Sequence, residues 1–204
     1  MENNDIVSKC IKIGCFGESS VGKTYYARRY IKDIREDDFY LSTVGVEYFN
    51  TTRILSDGKN YKIKIIDTAG QERYRSLSVN SIRFCDGIIL MYSITDRKSF
   101  NLISNWIQNI YDIKEGDFPF ILIGNKCDLE NQRDVLTEEG IEKAKQYNTI
   151  YFETSAKEGI NVEQSFEELL KKIIKKNEGK NLKKNNNLII DSKKKKKKKI
   201  FFCF

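Results

Sequence analysis

The sequence predicts an α/β fold in which a mostly parallel, six-stranded sheet is covered by helices on both faces. Short apolar or alternating runs recur along the chain, and segments with helical spacing lie between most of them. Strands that alternate with helices typically form parallel sheets buried on both faces. The length of 204 residues suits one such domain followed by a tail.

Six segments have the residue pattern of strands. The first, fourth and fifth are apolar runs of the kind found in interior strands. The second and third flank the turn signal Asp57-Gly58, which predicts a hairpin. The predicted strands are Cys10–Phe16, Val46–Leu55, Tyr61–Asp67, Gly87–Tyr92, Phe120–Gly124 and Thr149–Thr154.

Helical spacing predicts four helices. The first runs from Thr24 to about Ile34, the second begins at Ser99, and the third spans Thr137–Gln146. Asn161 can cap the fourth. The apolar faces of the second and fourth helices consist of Phe100, Ile103, Trp106, Ile107 and Ile110, and of Val162, Phe166, Leu169, Leu170, Ile173 and Ile174.

The connection between the first strand and the first helix has the spacing G-x-x-x-x-G-K-[ST], which is typical of a phosphate-binding loop. Gly17 and Gly22 let the backbone curl, so that successive N–H groups and the helix start form an anion cradle. Lys23 can reach the β- and γ-phosphates, and the Thr24 hydroxyl can bind Mg²⁺. The candidate nucleotide-binding residues here are Gly17, Glu18, Ser19, Ser20, Val21, Gly22, Lys23, Thr24 and Tyr25.

The third strand ends in Asp67-Thr68-Ala69-Gly70-Gln71, a second candidate part of the site. Asp67 can hold Mg²⁺, through water in our interpretation. The Gly70 N–H can meet a γ-phosphate, and Gln71 can orient a water for in-line attack. The pattern D-x-x-G is often only a turn, but after a phosphate loop it predicts hydrolysis. The candidate catalytic residues are therefore Gln71, Lys23 and Gly70.

A third part of the site predicts recognition of guanine. In Asn125-Lys126-Cys127-Asp128, the Asp128 carboxylate can accept hydrogen bonds from N1–H and the 2-amino group of guanine. Adenine lacks both donors and would leave a buried carboxylate unpaired. The Lys126 stem can pack along the base. The turn after the last strand, which can offer an N–H to guanine O6, consists of Ser155, Ala156 and Lys157.

Charge is distributed unevenly along the chain. Residues 171–204 hold 14 lysines and two acidic residues, whereas residues 1–170 hold 22 basic and 27 acidic residues. A basic terminal run fits an anionic membrane surface better than nucleic acid, which a basic folded surface would serve. No apolar run is long enough for a transmembrane helix, and five scattered cysteines without histidine argue against zinc.

Taken together, these motifs make residues 9–176 resemble a small GTPase of the Ras superfamily, with its P-loop NTPase fold. The resemblance implies an N-terminal extension at 1–8, a GTP-binding domain at 9–176 and a disordered, lysine-rich tail at 177–204. It matches Thr43 to the switch I threonine, which closes on Mg²⁺ and the γ-phosphate only in the GTP state. Switch II would begin at Asp67. The resemblance further implies a monomer that hydrolyses GTP slowly, controlled by an exchange factor, an activating protein and effector proteins.

The branch of the superfamily is indicated by shorter segments. Gly45–Tyr48 and Gly70–Leu77 are similar to Rab proteins, which implies vesicle or membrane trafficking. Ile66 stands where Rabs usually carry Trp, Ser81–Phe84 replaces their aromatic pair and Arg-Gly, and Tyr92–Asp96 resembles the Ras branch. A divergent Ras-like signalling GTPase therefore stays open as an alternative. A hydrolysis-deficient GTP-binding scaffold and a metabolic phosphotransferase are alternatives of other classes, disfavoured by Gln71 and the guanine motif respectively.

The end of the chain predicts membrane attachment. Lys193–Lys199 precede the terminal Ile-Phe-Phe-Cys-Phe, and each lysine near an anionic surface contributes roughly 1 kcal/mol. Cys203 is a candidate for lipidation, although neither a C-a-a-X box nor a cysteine pair is present. A solvated tail whose phenylalanines insert unaided is the alternative. The expected location is the cytoplasmic face of an intracellular or plasma membrane, with a cytosolic pool.

Overall fold

The computed structural model describes residues 8–32, 43, 45–55, 57–69 and 75–179. Six strands and six helices lie in these ranges, with short 3₁₀ turns at Ile82–Phe84 and Cys127–Gln132. The strands are β1 Ser8–Phe16, β2 Val46–Ile54, β3 Asn60–Thr68, β4 Gly87–Ser93, β5 Phe120–Asn125 and β6 Ile150–Thr154. The helices are α1 Lys23–Ile31, α2 Arg75–Ser81, α3 Arg97–Asn101, α4 Ile103–Ile113, α5 Thr137–Gln146 and α6 at residues 162–179.

The sheet confirms the predicted fold. Its strand order is β2-β3-β1-β4-β5-β6, and every neighbouring pair is parallel except the β2–β3 hairpin. The turn of that hairpin uses Gly58 at φ 73°, and Asp57 accepts a hydrogen bond from the Lys59 N–H at 3.1 Å. The central position of β1 places the loop that follows it at the carboxyl ends of β3 and β4, where parallel sheets bind ligands.

Both faces of the sheet are covered, because the buried side chains form two separate clusters. On one face, Ile13, Ile65 and Ile89 pack with α1 and α6 side chains such as Tyr26 and Phe166. On the other face, a second cluster joins the strands to α3, α4 and α5. The central members of this cluster are Leu90, Leu122, Ile103, Trp106 and Ile107. The apolar faces predicted for the second and fourth helices are therefore the buried ones.

Two predicted helix boundaries are wrong. α1 ends at Ile31 rather than near Ile34, because Lys32 adopts left-handed φ 62° and its N–H caps the carbonyls of Arg28 and Arg29. The second helical segment begins at Arg97 rather than Ser99. Asp96 caps it by accepting a hydrogen bond from the Lys98 N–H at 3.0 Å, and Leu102 separates α3 from α4.

Asn161 precedes the last helix as predicted, but its side chain has another partner. Its amide nitrogen donates to the Glu153 carbonyl at 2.8 Å, which ties the start of α6 to β6. The Asn161 carbonyl accepts the Ser165 N–H at 3.1 Å and closes the first helical turn. None of the helices in the described ranges has the length and apolar character needed to cross a membrane.

Candidate nucleotide and magnesium site

The phosphate loop is shaped by two glycines with positive φ. Gly17 has φ 139°, and a Cβ there would lie 2.1 Å from the Met91 carbonyl oxygen on β4. Gly22 has φ 98°, and a Cβ there would lie 2.4 Å from the Asn125 amide nitrogen. Glycine suits both positions, because a Cβ would meet the β4 backbone at Gly17 and the Asn125 side chain at Gly22, and because both have positive φ. The loop is thus held close to the ends of β4 and β5.

Lys23 begins α1 and lies inside the loop rather than in solvent. Its Nζ donates to the Glu18 carbonyl at 2.6 Å, and the side chain is only 5% exposed. Burial lowers the pKa of Lys23 to about 8, while the charge of Asp67 opposes that shift. A buried ammonium bonded to a single carbonyl retains two donors, which suits an amine that binds phosphate oxygens. Lys23 is therefore not an exposed lysine at the end of an ordinary turn.

Three oxygen-bearing side chains converge beside Lys23. The Thr24 hydroxyl donates to Asp67 Oδ2 at 2.5 Å and lies 2.7 Å from the Thr43 hydroxyl, which is 3.4 Å from the same Oδ2. These residues come from α1, from the end of β3 and from position 43, so the tertiary fold assembles the set. Hydroxyl and carboxylate oxygens are the ligands that Mg²⁺ prefers.

The surroundings of the Asp67 carboxylate suit a metal ligand better than a purely structural group. It is fully buried, and its Oδ1 has no hydrogen-bond partner among the described residues. Burial raises the pKa of Asp67 to about 6, against the hydrogen bond from Thr24 and the charge of Lys23. An unsatisfied buried carboxylate oxygen is costly unless a cation compensates it. The donor set at Thr24, Thr43 and Asp67 therefore fits Mg²⁺.

Asn125 connects the phosphate loop to the guanine-recognition loops. Its amide nitrogen donates to the Val21 carbonyl at 2.8 Å. Its Oδ1 accepts from the Thr154 hydroxyl at 3.0 Å and from the Ala156 N–H at 3.1 Å. The side chain is 2% exposed, so these contacts occupy it within the protein. The structure thus gives Asn125 the role of a brace between parts of the site.

The turn Ser155–Lys157 is also held by an arginine that the sequence motifs did not indicate. The Arg29 Nε, on α1, donates to the Ala156 carbonyl at 2.8 Å, and its Nη2 donates to the Lys157 carbonyl. The same guanidinium lies 5.7 Å from the ring centroid of Tyr25. No sequence motif indicates this role of Arg29, because its partners are main-chain atoms 127 and 128 residues away.

An ion-pair network supports the segment that carries Asp128. Arg133 follows this segment and binds both Glu130 and Glu153, with nitrogen–oxygen distances of 2.7 and 2.8 Å. The Thr137 hydroxyl also donates to Glu153 at 2.8 Å. Lys126, at φ 71°, and Asp128 are both partly exposed at this end of the sheet. The network therefore positions the Asp128 loop against β6, beside the Ser155–Lys157 turn.

The remaining predicted site residues fall into two groups. Val21 is buried inside the loop, whereas Ser19 and Ser20 are exposed on its outside. Gly70, Gln71 and Cys203 lie outside the described residues. The structure therefore brings the candidate phosphate, metal and guanine residues that it describes to one end of the sheet, and their roles, like that of Gln71, stay predictions.

A phosphate loop, a buried carboxylate with two hydroxyls and a braced guanine motif define the class of small GTP-binding proteins. Residues 12–175 match the model of the Ras family. The chain is 39% identical over 172 residues to Ras-related protein Rab-13 of Bos taurus, covering 84% of each chain. It is 43% identical over 169 residues to Rab-3C of Mus musculus, covering 83% of this chain and 72% of the relative. Rab-8A of Bos taurus is 41% identical over 169 residues, with 83% and 81% covered.

The chain belongs to the Ras family, and it is a Rab-like small GTPase that acts in membrane trafficking and hydrolyses GTP. This confirms the predicted enzyme class. The relatives favour the Rab-like interpretation over the Ras-like signalling alternative. Family membership also favours a hydrolysing enzyme over both the scaffold and the phosphotransferase.

Proposed function

We propose that the chain is a magnesium-dependent guanine-nucleotide switch whose metal is held by Thr24, Thr43 and Asp67. The observation that carries the proposal is the meeting of two hydroxyls and a buried carboxylate, whose second oxygen lacks a partner within the described residues. Bound Mg²⁺ would neutralise charge on the β- and γ-phosphates. Thr43 and Asp67 belong to separate segments of the chain, and a shared metal ion would hold them together.

The protein groups have distinct proposed roles in GTP hydrolysis. Lys23 binds the phosphates from inside the loop, and the loop N–H groups orient them. The N–H of Gly70 contacts the γ-phosphate. Gln71 orients the attacking water, and an activating protein raises a rate that is slow in the isolated chain. Measured single-turnover hydrolysis should fall further in Gln71→Leu, since leucine cannot orient water. Equal rates in both proteins would contradict this role.

The magnesium proposal is tested without hydrolysis by following release of a fluorescent GDP analogue. We expect EDTA to accelerate release from the wild type, because removal of the metal exposes phosphate charge to the site. Thr24→Ala should release GDP faster at saturating Mg²⁺ and respond less to EDTA. Thr52→Ala, which removes an exposed threonine hydroxyl on β2 outside the site, is the control. An unaltered EDTA response in Thr24→Ala would refute the assignment.

Guanine selectivity is proposed to reside in Asp128. The carboxylate accepts from two guanine donors, which adenine does not have. Asp128→Asn replaces one acceptor by a donor, so its affinity for GDP should fall roughly 100-fold or more while ADP remains a poor ligand. Isothermal titration of nucleotide-free protein with GDP and ADP measures both. Retained GDP affinity in the variant would place selectivity elsewhere.

We propose that residues 177–204, of which 177–179 still belong to α6 and are therefore not disordered as predicted, are a membrane-targeting tail attached to a GTP-binding domain at 9–176, with 1–8 as an extension. The match of residues 12–175 to the family supports this division. Seven consecutive lysines attract an anionic leaflet, and lipidated Cys203 would add the second signal that stable attachment needs. Full-length protein should bind anionic vesicles in a salt-sensitive manner, and replacing Lys193–Lys199 by glutamine should abolish binding. The intact mass of protein from its native membranes tests lipidation of Cys203.

The cycle that follows from these assignments is that of a membrane-recruited regulator. The GTP form binds effector proteins at the cytoplasmic face of an intracellular or plasma membrane, and an exchange factor reloads the GDP form from a cytosolic pool. We propose a monomer that does not bind nucleic acid, since its basic residues concentrate in the tail. Salt-resistant binding to RNA or DNA would contradict that part of the proposal.

A further inference from the structure

The side chain of Glu18 projects from the phosphate loop and takes part in a contact outside the nucleotide cradle. Its Oε1 accepts a hydrogen bond from Arg75 Nη2 at 3.0 Å and another from Trp106 Nε1 at 2.9 Å. The Arg75 guanidinium also lies 5.1 Å from the centre of the Trp106 ring. Three elements, the phosphate loop, α2 and α4, thus meet in what we call the Glu18 cluster.

The Glu18 cluster is more specific than an ordinary surface ion pair. The Arg75 and Glu18 side chains are 34% and 20% exposed, and an ion pair of that exposure contributes little alone. Trp106, however, is only 2% exposed, so its N–H needs an acceptor inside the protein. A planar guanidinium stacked on the indole and bonded to the same carboxylate oxygen has few alternative arrangements. The cluster therefore defines one position for the first residue of α2.

We propose that Glu18 is a positioning residue for GTP hydrolysis. It holds Arg75, and with it the N-terminal end of α2, on the phosphate loop. The inference rests on the proposed function, because it acts through Gln71. Arg75 follows Gln71 by four residues, a span of at most about 14 Å of extended chain. Arg75 and Asp67 are described residues on either side of Gln71 in the sequence, and loss of preorganisation around a reacting group slows chemistry.

Single-turnover GTP hydrolysis tests the proposal in the full-length protein. We expect Glu18→Gln and Arg75→Gln each to lower the rate about 10- to 100-fold, in keeping with the cost of small misplacements. The double variant should be no slower than the slower single variant, because both remove the same interaction. Arg75→Lys, which keeps the charge without the planar group, should recover part of the rate. Arg83→Gln is the matched control, since Arg83 is exposed and lies outside the cluster.

Two further measurements separate positioning from general damage. Trp106 is the sole tryptophan of the chain, so its emission reports directly on the cluster. Emission should change in Glu18→Gln and Arg75→Gln and stay constant in Arg83→Gln. The rate of GDP release from Arg75→Gln should remain within about twofold of the wild type, which a destabilised nucleotide site would not allow.

The outcomes distinguish failure of the inference from failure of the proposed function. Wild-type hydrolysis in Arg75→Gln, beside slowed hydrolysis in Gln71→Leu, would overturn the positioning role and leave the proposed function intact. Multiplicative losses in the double variant, or unchanged Trp106 emission, would also overturn it. Wild-type hydrolysis in Gln71→Leu would overturn the role of Gln71 and this inference with it.

Discussion

The side-chain amide of Asn125 donates to the main-chain carbonyl of Val21 at 2.8 Å, across 104 residues of sequence. This bond joins the carboxyl end of β5 to the candidate phosphate loop. The other end of the same amide accepts from Thr154 and Ala156 at the end of β6. The segments proposed to recognise the base and to bind the phosphates are therefore connected through one buried side chain.

Asn125→Ala should weaken both the fold and nucleotide binding. It leaves the Val21 carbonyl, the Thr154 hydroxyl and the Ala156 N–H without this partner, so we expect a loss of about 2 to 4 kcal/mol in the free energy of unfolding. GDP release should accelerate at the same time. Urea titration and GDP-analogue release measure the two effects. Asn101→Ala, at an exposed helical position, is the control, and equal stabilities of the two variants would contradict the bracing role.

Gly17→Ala should prevent correct formation of the phosphate loop. Its Cβ would lie 2.1 Å from the Met91 carbonyl oxygen, so backbone would have to move against backbone. We expect a loss of at least about 3 kcal/mol in stability. Gly58 also has a positive φ, of 73°, but a Cβ added there would have no atom within 4 Å. Gly58→Ala should cost only about 1 to 2 kcal/mol. Similar thermal midpoints for both variants would refute the steric explanation.

Arg29→Gln should accelerate GDP release with little effect on hydrolysis of bound GTP. The guanidinium holds the carbonyls of Ala156 and Lys157, and its loss frees the turn beside the base rather than the phosphate groups. A change of about tenfold in release rate corresponds to about 1.4 kcal/mol, a reasonable value for lost charged hydrogen bonds. Arg83→Gln serves again as the control. A slowed hydrolysis step with unchanged release would contradict this division of roles.

Acid should remove a stabilising contact at the start of α5. Hydrogen bonds from Arg97, with a further one from the Leu136 N–H, lower the pKa of Glu139 from its ordinary 4.5 to about 2. The ionised group therefore stabilises the folded protein fully above pH 4.5, and this contribution declines as the pH falls towards 2.

The difference in unfolding free energy between wild type and Glu139→Gln should accordingly shrink between pH 5 and pH 3. Urea titrations at several pH values measure it. Glu138→Gln changes the neighbouring exposed residue in the same helical turn and should show a smaller effect at neutral pH. A difference that grows on acidification would mean that the Arg97 contact does not govern the ionisation of Glu139.

Local patterns predicted the strands well and the helix ends less well. The apolar runs of β4 and β5 are wholly buried, as their residue pattern predicted for interior strands. The end of α1 depends on Lys32 adopting a left-handed conformation, which its residue type does not indicate. Asp96 and Ser99 are both reasonable helix caps. Ser99 is not the cap because its hydroxyl accepts the Ser93 N–H and donates to the Asp96 carbonyl.

The site shows the same division between contiguous motifs and distant partners. The phosphate loop, Asp67 and the Asp128 segment were predictable because their residues occur together at spacings set by phosphate and base chemistry. Three hydrogen bonds were not predictable: those of Asn125 with Val21, Arg29 with Lys157 and Glu18 with Trp106. Each joins residues between 88 and 128 positions apart, where no spacing rule operates.

The sequence by itself determined the alternating architecture, the guanine-nucleotide chemistry and the basic character of the tail. Apolar periodicity and motif spacing are local properties, and they follow directly from strand, helix and phosphate-cradle geometry. Only the tertiary structure decided which side chains form hydrogen bonds with a given carbonyl, carboxylate or buried amide. A hydrogen bond forms only when two groups lie within about 3 Å, and for the groups around this site the strand order of the folded sheet sets those distances.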